Sequence, residues 1–205
     1  MSQFLKSDEV ARATRRFFLA AVGGIGALLG LGVVGKAMKR NHLLRPPGGQ
    51  NETAFLAKCL KCDRCRSICP TSVIGVAHLE DGLLEARTPV MKFHLGDCTL
   101  CKKCVEVCPT GALEPFEIKT VRIGIAVVQR EICIAWNSGG CTVCHSACVY
   151  QAITLDGQRQ PYVDASKCNG CGRCEHLCPV LSLRAYLGGN TRGIEIRPSS
   201  FGDAA

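Results

Sequence analysis

Cys98-Thr99-Leu100-Cys101-Lys102-Lys103-Cys104-Val105-Glu106-Val107-Cys108-Pro109 sets four thiols at intervals of two, two and three residues and closes on a proline. The same spelling recurs at Cys59, Cys62, Cys65, Cys69 with Pro70, and at Cys168, Cys171, Cys174, Cys178 with Pro179. A third group in chain order, Cys133, Cys141, Cys144, Cys148, opens with a seven-residue interval and is followed by Val149. All 16 cysteines of the 205-residue chain fall into these groups, so the sequence is a fourfold repeat before it is anything else.

Two-residue intervals let three thiolates converge on one side of a tight loop, where they can grip three irons of a cubane. The fourth cysteine sits where the chain turns away, with a short helix expected to begin at the proline that follows it. In two-cluster ferredoxins that fourth cysteine ligates the neighbouring cluster and ties two halves together. The pattern resembles bacterial ferredoxins with [4Fe–4S] clusters, and 16 ligands imply four clusters. Disulfides across such short intervals would restrain the unfolded chain little. Structural zinc calls for paired Cys-x2-Cys knuckles donating two ligands each. Cys141-Thr142-Val143-Cys144-His145 matches the c-type haem attachment string, but a haem there would orphan Cys133 and Cys148. His145 therefore reads as a loop residue near a cluster.

Composition agrees. The apolar fraction of 47% includes the cysteines and an apolar N-terminal run, and aromatics are only 5%, too little for a deep substrate pocket. The net charge of +8 is concentrated at the front: residues 1–40 hold seven Lys/Arg and two Asp/Glu, leaving 18 and 15 for the remainder. No set of stacking aromatics accompanies that remainder, so nucleic-acid binding is excluded as a reading. About −2 per loaded cubane would turn the body of the protein acidic.

Thr14-Arg15-Arg16-Phe17-Phe18-Leu19 is a twin-arginine pattern followed by a glycine-rich apolar stretch from Ala20 to Gly35. It predicts export by the twin-arginine translocase, with Arg15 and Arg16 as the signal pair. Left uncleaved, the segment would be an anchor helix in the inner membrane. Folding before export suits a chain whose clusters are assembled in a reducing compartment. The expected layout is a signal or anchor over 1–40, a Pro/Gly-containing linker over 41–57, a four-cluster domain over 58–188 and a flexible tail over 189–205. Within the domain, Val121–Val128 reads as a strand, and Ile153–Leu155 with Tyr162-Val163 as a hairpin around Asp156-Gly157. The fold class is α+β: two bacterial ferredoxin-like two-cluster modules. Spacing alone permits tandem pairing (one with two, three with four) or nested pairing (one with four, two with three).

Arg15-Arg16, Leu44-Arg45-Pro46-Pro47-Gly48, the four cysteine groups in order and the seven-residue opening of group three together resemble the NapG/MauM group of periplasmic ferredoxin-type proteins. That resemblance implies electron transfer without substrate chemistry of its own. The donor would be a membrane-bound quinol dehydrogenase, and the acceptor a periplasmic reductase of the nitrate reductase type, or a cytochrome. A methylamine-utilisation role, a subunit of another periplasmic oxidoreductase, or a maturation or redox-protection role are alternatives. Related four-cluster subunits pair their groups in nested order, which the resemblance implies here. Arg64, Lys102, Lys103 and Arg173 inside the cysteine loops read as solvated charges, His176 as a loop histidine and Trp136 as a shield.

Overall fold

A Cys-x2-Cys-x2-Cys run can aim three sulfurs the same way only where its backbone doubles back, and the dihedrals locate those reversals. A computed structural model of the chain describes residues 42–180 and 192–198. In three groups both neighbours of the second cysteine have positive φ. These are Lys61 and Asp63 (55° and 59°), Leu100 and Lys102 (54° and 64°), and Gly170 and Gly172 (73° and 80°). Left-handed backbone costs a non-glycine residue ~1–2 kcal/mol. Four such residues therefore hold strain that the surrounding fold must overcome. Group three departs from this: its first cysteine is supplied from eight residues upstream, and Gly139 and Gly140 (both 77°) make the return.

The helices are single turns or little more: α1 (Glu52–Lys58), α2 (Arg64–Ser67), α3 (Lys103–Glu106), α4 (Ile134–Asn137), α5 (Val143–Ala147) and α6 (Arg173–His176). Four of them carry the third cysteine of a group, so the helix precedes the fourth cysteine instead of following it. The proline serves a turn: Pro70 occupies the second position of a reversal closed by Ser72 N–H on the Cys69 carbonyl (3.2 Å). Its fixed φ suits that position as well as a helix start. Group three makes the same turn without proline, Gln151 N–H reaching Cys148 O at 3.2 Å.

Three antiparallel two-stranded ladders connect the turns. β1 (Ile74–Val76) pairs with β2 (Pro89–Met91), Ile74 opposite Met91; β4 (Ile153–Leu155) pairs with β5 (Pro161–Val163), Ile153 opposite Val163. The second is the expected hairpin, its return closed by Asp156 Oδ1 accepting from the N–H of Gln158 (2.9 Å) and Gln160 (2.8 Å). β3 covers Ile125–Val128, the second half of the expected strand, and pairs with β6 (Ile194–Arg197).

Two expected boundaries are corrected. The stretch taken for a flexible tail contains β6, with Ile194 and Ile196 buried and Arg192 7% exposed. Ile-Glu-Ile-Arg alternates apolar and polar residues, as a half-buried strand must. The stretch taken for a linker is, from His42 onward, part of the domain. Leu44 O accepts from Met91 N–H at 2.8 Å, and Pro46 and Pro47 are fully buried. Arg45, 3% exposed, donates to both carboxylate oxygens of Glu52 (2.8 and 2.5 Å), to Thr88 Oγ1 (2.7 Å) and to Pro89 O (3.0 Å). Its guanidinium also lies 4.8 Å from the Phe55 ring centre. An arginine so buried requires that full set of acceptors, which only a packed strap can supply. The twin-arginine string and the apolar run behind it lie outside the described residues.

The main core combines Val73, Ile74, Met91, Phe93 and Leu100 with Val121, Ile123, Ala126, Ile153, Val180, Ile194 and Ile196, and several cysteines are part of it. A smaller cluster of Phe55, Ala112 and Leu113 lies against the thiols of Cys59, Cys65, Cys104 and Cys108.

Candidate metal centres

The turns and one-turn helices bring all the cysteines into four cavities, four thiols to each. Cys59, Cys62 and Cys65 share one with Cys108. Cys98, Cys101 and Cys104 share the second with Cys69. Cys133, Cys141 and Cys144 share the third with Cys178. Cys168, Cys171 and Cys174 share the fourth with Cys148. The atom-free space is nearly equal, about 360, 360, 330 and 320 Å³ in that order. Four thiols around a space of similar size in every set point to one kind of occupant, four times over.

The pairing is therefore tandem, which corrects the nested order. Each group takes its fourth thiol from its neighbour in sequence: one and two exchange theirs, and three and four exchange theirs. The physical reason lies in chain length. The β1–β2 ladder returns the chain from Cys69 to Cys98, and the β4–β5 ladder returns it from Cys148 to Cys168. Each pair thus closes locally, without threading one module through the other.

The thiols are free, with no disulfide among them. Burial pushes the thiols of Cys65, Cys98 and Cys144 up to about 12 and that of Cys104 to about 11, and neighbouring thiolates add to the rise. Cys174 is raised for the same two reasons. Each cavity holds at least one thiol raised in this way, and such a site is unsuited to bare thiolates and suited to a cationic centre that ligates them all. Among the described residues no three His, Cys, Asp or Glu side chains converge tightly enough for a single ion. The thiols instead stand around a space, as one-thiol-per-iron ligation of a cubane requires and mononuclear zinc does not.

Backbone N–H groups face several of the candidate ligand sulfurs, exchanged and unexchanged alike. Ala152 N–H meets Cys148 Sγ at 3.3 Å, and Ala126 N–H meets Cys168 Sγ at 3.5 Å. For Cys69, burial is outweighed by the Thr71 hydroxyl and the N–H groups of Thr71, Val73 and Ile74, and its thiol is lowered. Cys108 is lowered likewise against burial, by the N–H groups of Leu113, Thr110 and Ala112 and by the Thr110 hydroxyl. These donors stabilise a charged sulfur, which is what a bound thiolate presents.

The two modules meet at the second and fourth thiol sets. Cys98 N–H donates to Cys171 O at 2.8 Å across the junction, while within the second module Ile123 N–H donates to Asn169 O at 2.9 Å. A Cβ on Gly172 would strike the Phe93 ring, and one on Gly170 the backbone of Gly124. Group four therefore carries glycine where groups one and two carry Lys61, Asp63, Leu100 and Lys102. Within each module the sets also adjoin: Cys104 acts electrostatically on Cys65, and Cys144 on Cys174.

The remaining candidates sort simply. Arg64, Lys102, Lys103 and Arg173 are exposed, as a solvated reading expects. His145 sits on α5 with Nδ1 2.6 Å from Ile153 O, and Cys144 beside it belongs to a four-thiol cavity, which leaves the haem reading no thiol pair. Trp136 packs edge-on against Tyr162 (5.6 Å between centres) under the Arg130 guanidinium (4.4 Å). Sequence reasoning missed Glu175, half-buried on α6. Burial pushes its carboxyl up to about 7, against the hydrogen bond it accepts from Ile196 N–H (2.7 Å). That bond fastens β6 to the helix bearing Cys174. Among the described residues no helix is long and apolar enough to cross a membrane.

Comparison with known proteins agrees with this geometry. A 4Fe-4S dicluster domain family matches residues 58–112 and again 117–181, the same two segments that the thiol exchange closes. The chain is 34% identical to the ferredoxin-type protein NapG of Escherichia coli K12, over 87% of this chain and 85% of that one. It is 33% identical to the methylamine utilization ferredoxin-type protein MauM of Methylophilus methylotrophus, over 86% and 87%. It is 29% identical to the E. coli K12 ferredoxin-type protein NapF, over 76% and 92%. With two dicluster segments, four exchanged thiol sets and relatives aligned along most of its length, the chain belongs to the NapG/MauM family of ferredoxin-type iron–sulfur proteins.

Proposed function

We propose that the chain is an electron relay holding four [4Fe–4S] clusters. It would take electrons from a membrane-bound quinol dehydrogenase and deliver them towards a periplasmic reductase of the nitrate reductase type. When bound, each cluster accepts and releases one electron. The 16 cysteines are the proposed ligands, in the four sets described. The remaining residues hold those sulfurs, keep water from them and donate N–H groups to them.

One observation carries the reading: the four sets form an unbroken line. The Cys59 and Cys98 sets adjoin in one module, and the Cys98 N–H bond to Cys171 O joins that module to the next. The Cys168 set then adjoins the Cys133 set. The order along the protein is thus one, two, four, three, which differs from the order along the chain. Cys62 and Cys101 are exposed, whereas Cys133, Cys144, Cys168, Cys174 and Cys178 are buried. The first module accordingly offers the more accessible centres to a partner.

Export by the twin-arginine translocase is part of the proposal, resting on Arg15-Arg16 and on the need to load clusters before reaching an oxidising compartment. The test mixes anaerobic holo-protein with membranes containing a quinol dehydrogenase and reduced quinol, followed by the periplasmic reductase and its substrate. Visible bleaching on the first addition and recovery on the second is expected. Failure of the membranes to reduce a fully loaded chain would overturn this route.

A further inference from the structure

Among the described residues four buried side-chain nitrogens lack a hydrogen-bond partner: Trp136 Nε1, Asn169 Nδ2, His176 Nδ1 and Arg192 Nε. Only Asn169 lines a four-thiol cavity, that of Cys148, Cys168, Cys171 and Cys174. Its position is built rather than incidental. The residue is 2% exposed. Its carbonyl accepts from Ile123 N–H (2.9 Å), and its side-chain Oδ1 accepts from Cys171 N–H (3.1 Å). An N–H can only donate, so that second bond fixes which end of the carboxamide is oxygen and which is nitrogen. The two Nδ2 protons are left buried, and a buried donor without an acceptor is costly.

At the matching place in group one stands Leu60, which is 68% exposed and has no donor to offer. An NH2 group kept dry beside four sulfurs needs an acceptor, and a cluster in this cavity would bring acceptors of the right kind in its sulfide and thiolate sulfurs. Hydrogen bonds to sulfur favour the reduced, more negative state of a cluster and so raise its potential.

Resting on the reading that these cavities hold [4Fe–4S] clusters, we infer that the Asn169 carboxamide donates to a sulfur of the centre ligated by Cys148, Cys168, Cys171 and Cys174 and sets that centre's reduction potential upward. Asn169 is a positioning and tuning residue, not a ligand. Its centre is the one met on crossing from the first module into the second, so the donor favours arrival of the electron there.

The test uses the full chain, isolated without air and with iron and sulfide measured, carrying 15N only in asparagine side chains. Pulsed EPR of the reduced protein is expected to show a 15N coupling that disappears in Asn169→Leu. In an EPR-monitored titration, one midpoint of that variant is expected to fall by at least a tenfold change in the reduced-to-oxidised ratio, about 59 mV for one electron. The other midpoints should hold. Asn169→Asp keeps the acceptor for Cys171 N–H and replaces the donor nitrogen with oxygen, so it separates closure of the loop from the bond to sulfur. It should lower the same midpoint at full iron content, and it decides the matter should the leucine variant fail to load. Absence of the 15N coupling in the loaded parent protein, or unchanged midpoints in Asn169→Asp, would overturn the assignment of Asn169 alone. A parent chain without iron would overturn the cluster reading and this inference together.

Discussion

The backbone N–H of Cys98 and the carbonyl of Cys171 lie 2.8 Å apart, so a ligand-bearing loop of one module is hydrogen-bonded to a ligand-bearing loop of the other. Each loop comes from a separate dicluster segment, and each takes left-handed backbone on both sides of its second cysteine, strained at Leu100 and Lys102 and supplied by glycine at Gly170 and Gly172. The contact explains why residues so far apart in sequence share one core. It also explains why the two modules need no long linker to communicate.

Tandem exchange of the fourth thiol makes a prediction about iron loss. Cys62→Ser and Cys108→Ser each remove a ligand from the same set. Each single variant should lose about four irons at most. The double variant should lose no more than either single one, because coupled sites do not add. Iron analysis showing additive loss of two clusters would mean that Cys108 serves a different set.

Gly172 is fixed by its neighbour. At φ 80° with the Phe93 ring against it, Gly172→Ala meets both left-handed strain and overpacking. The expected cost is about 2–4 kcal/mol. Gly139, at φ 77°, has nothing within 4 Å, so Gly139→Ala should cost only ~1–2 kcal/mol. Anaerobic thermal bleaching of the two variants side by side measures the difference.

Arg45 holds the N-terminal strap by a fork that spans Glu52, Thr88 and Pro89. A lysine ammonium cannot reach the same acceptors in one plane. Arg45→Lys should cost about 2–3 kcal/mol, below the full penalty of breaking a buried pair because Glu52 remains partly exposed. Limited proteolysis should then cut within residues 42–58 faster than in the parent chain.

β6 closes the third cavity, since Gly193 and Ile194 line it beside Cys133, Cys141, Cys144 and Cys178. Ile194→Ala should destabilise the fold by about 2–5 kcal/mol. It should also hasten the loss of one cluster in air while the first module bleaches at its normal rate. Time-resolved absorbance with iron analysis tests this.

What the sequence made legible is what ligand chemistry constrains. Thiols must stand two and three residues apart to surround a cubane, so the four groups could be read directly. Their pairing could not, because the intervals are the same whichever group supplies the fourth thiol; only the β1–β2 and β4–β5 returns decide it. Pro46-Pro47-Gly48 looked like open chain because the partners that bury Arg45 lie at Glu52, Thr88 and Pro89, the latter two far off in sequence. Ile194-Glu195-Ile196-Arg197 did carry a signal, its alternation, which the polar and glycine-rich surroundings obscured. Asn169 is spelled like any loop asparagine, and its burial comes with the distant Ile123 segment, whose N–H reaches its carbonyl at 2.9 Å.

The central claim is that each four-thiol set holds four irons and four sulfides. Iron and acid-labile sulfide should be counted in full chain isolated without air, alongside a one-electron EPR titration. About 16 of each per chain, with signals from coupled clusters, is the result expected of four cubanes. A colourless chain, or one whose thiols are joined to each other or hold zinc, would contradict the account.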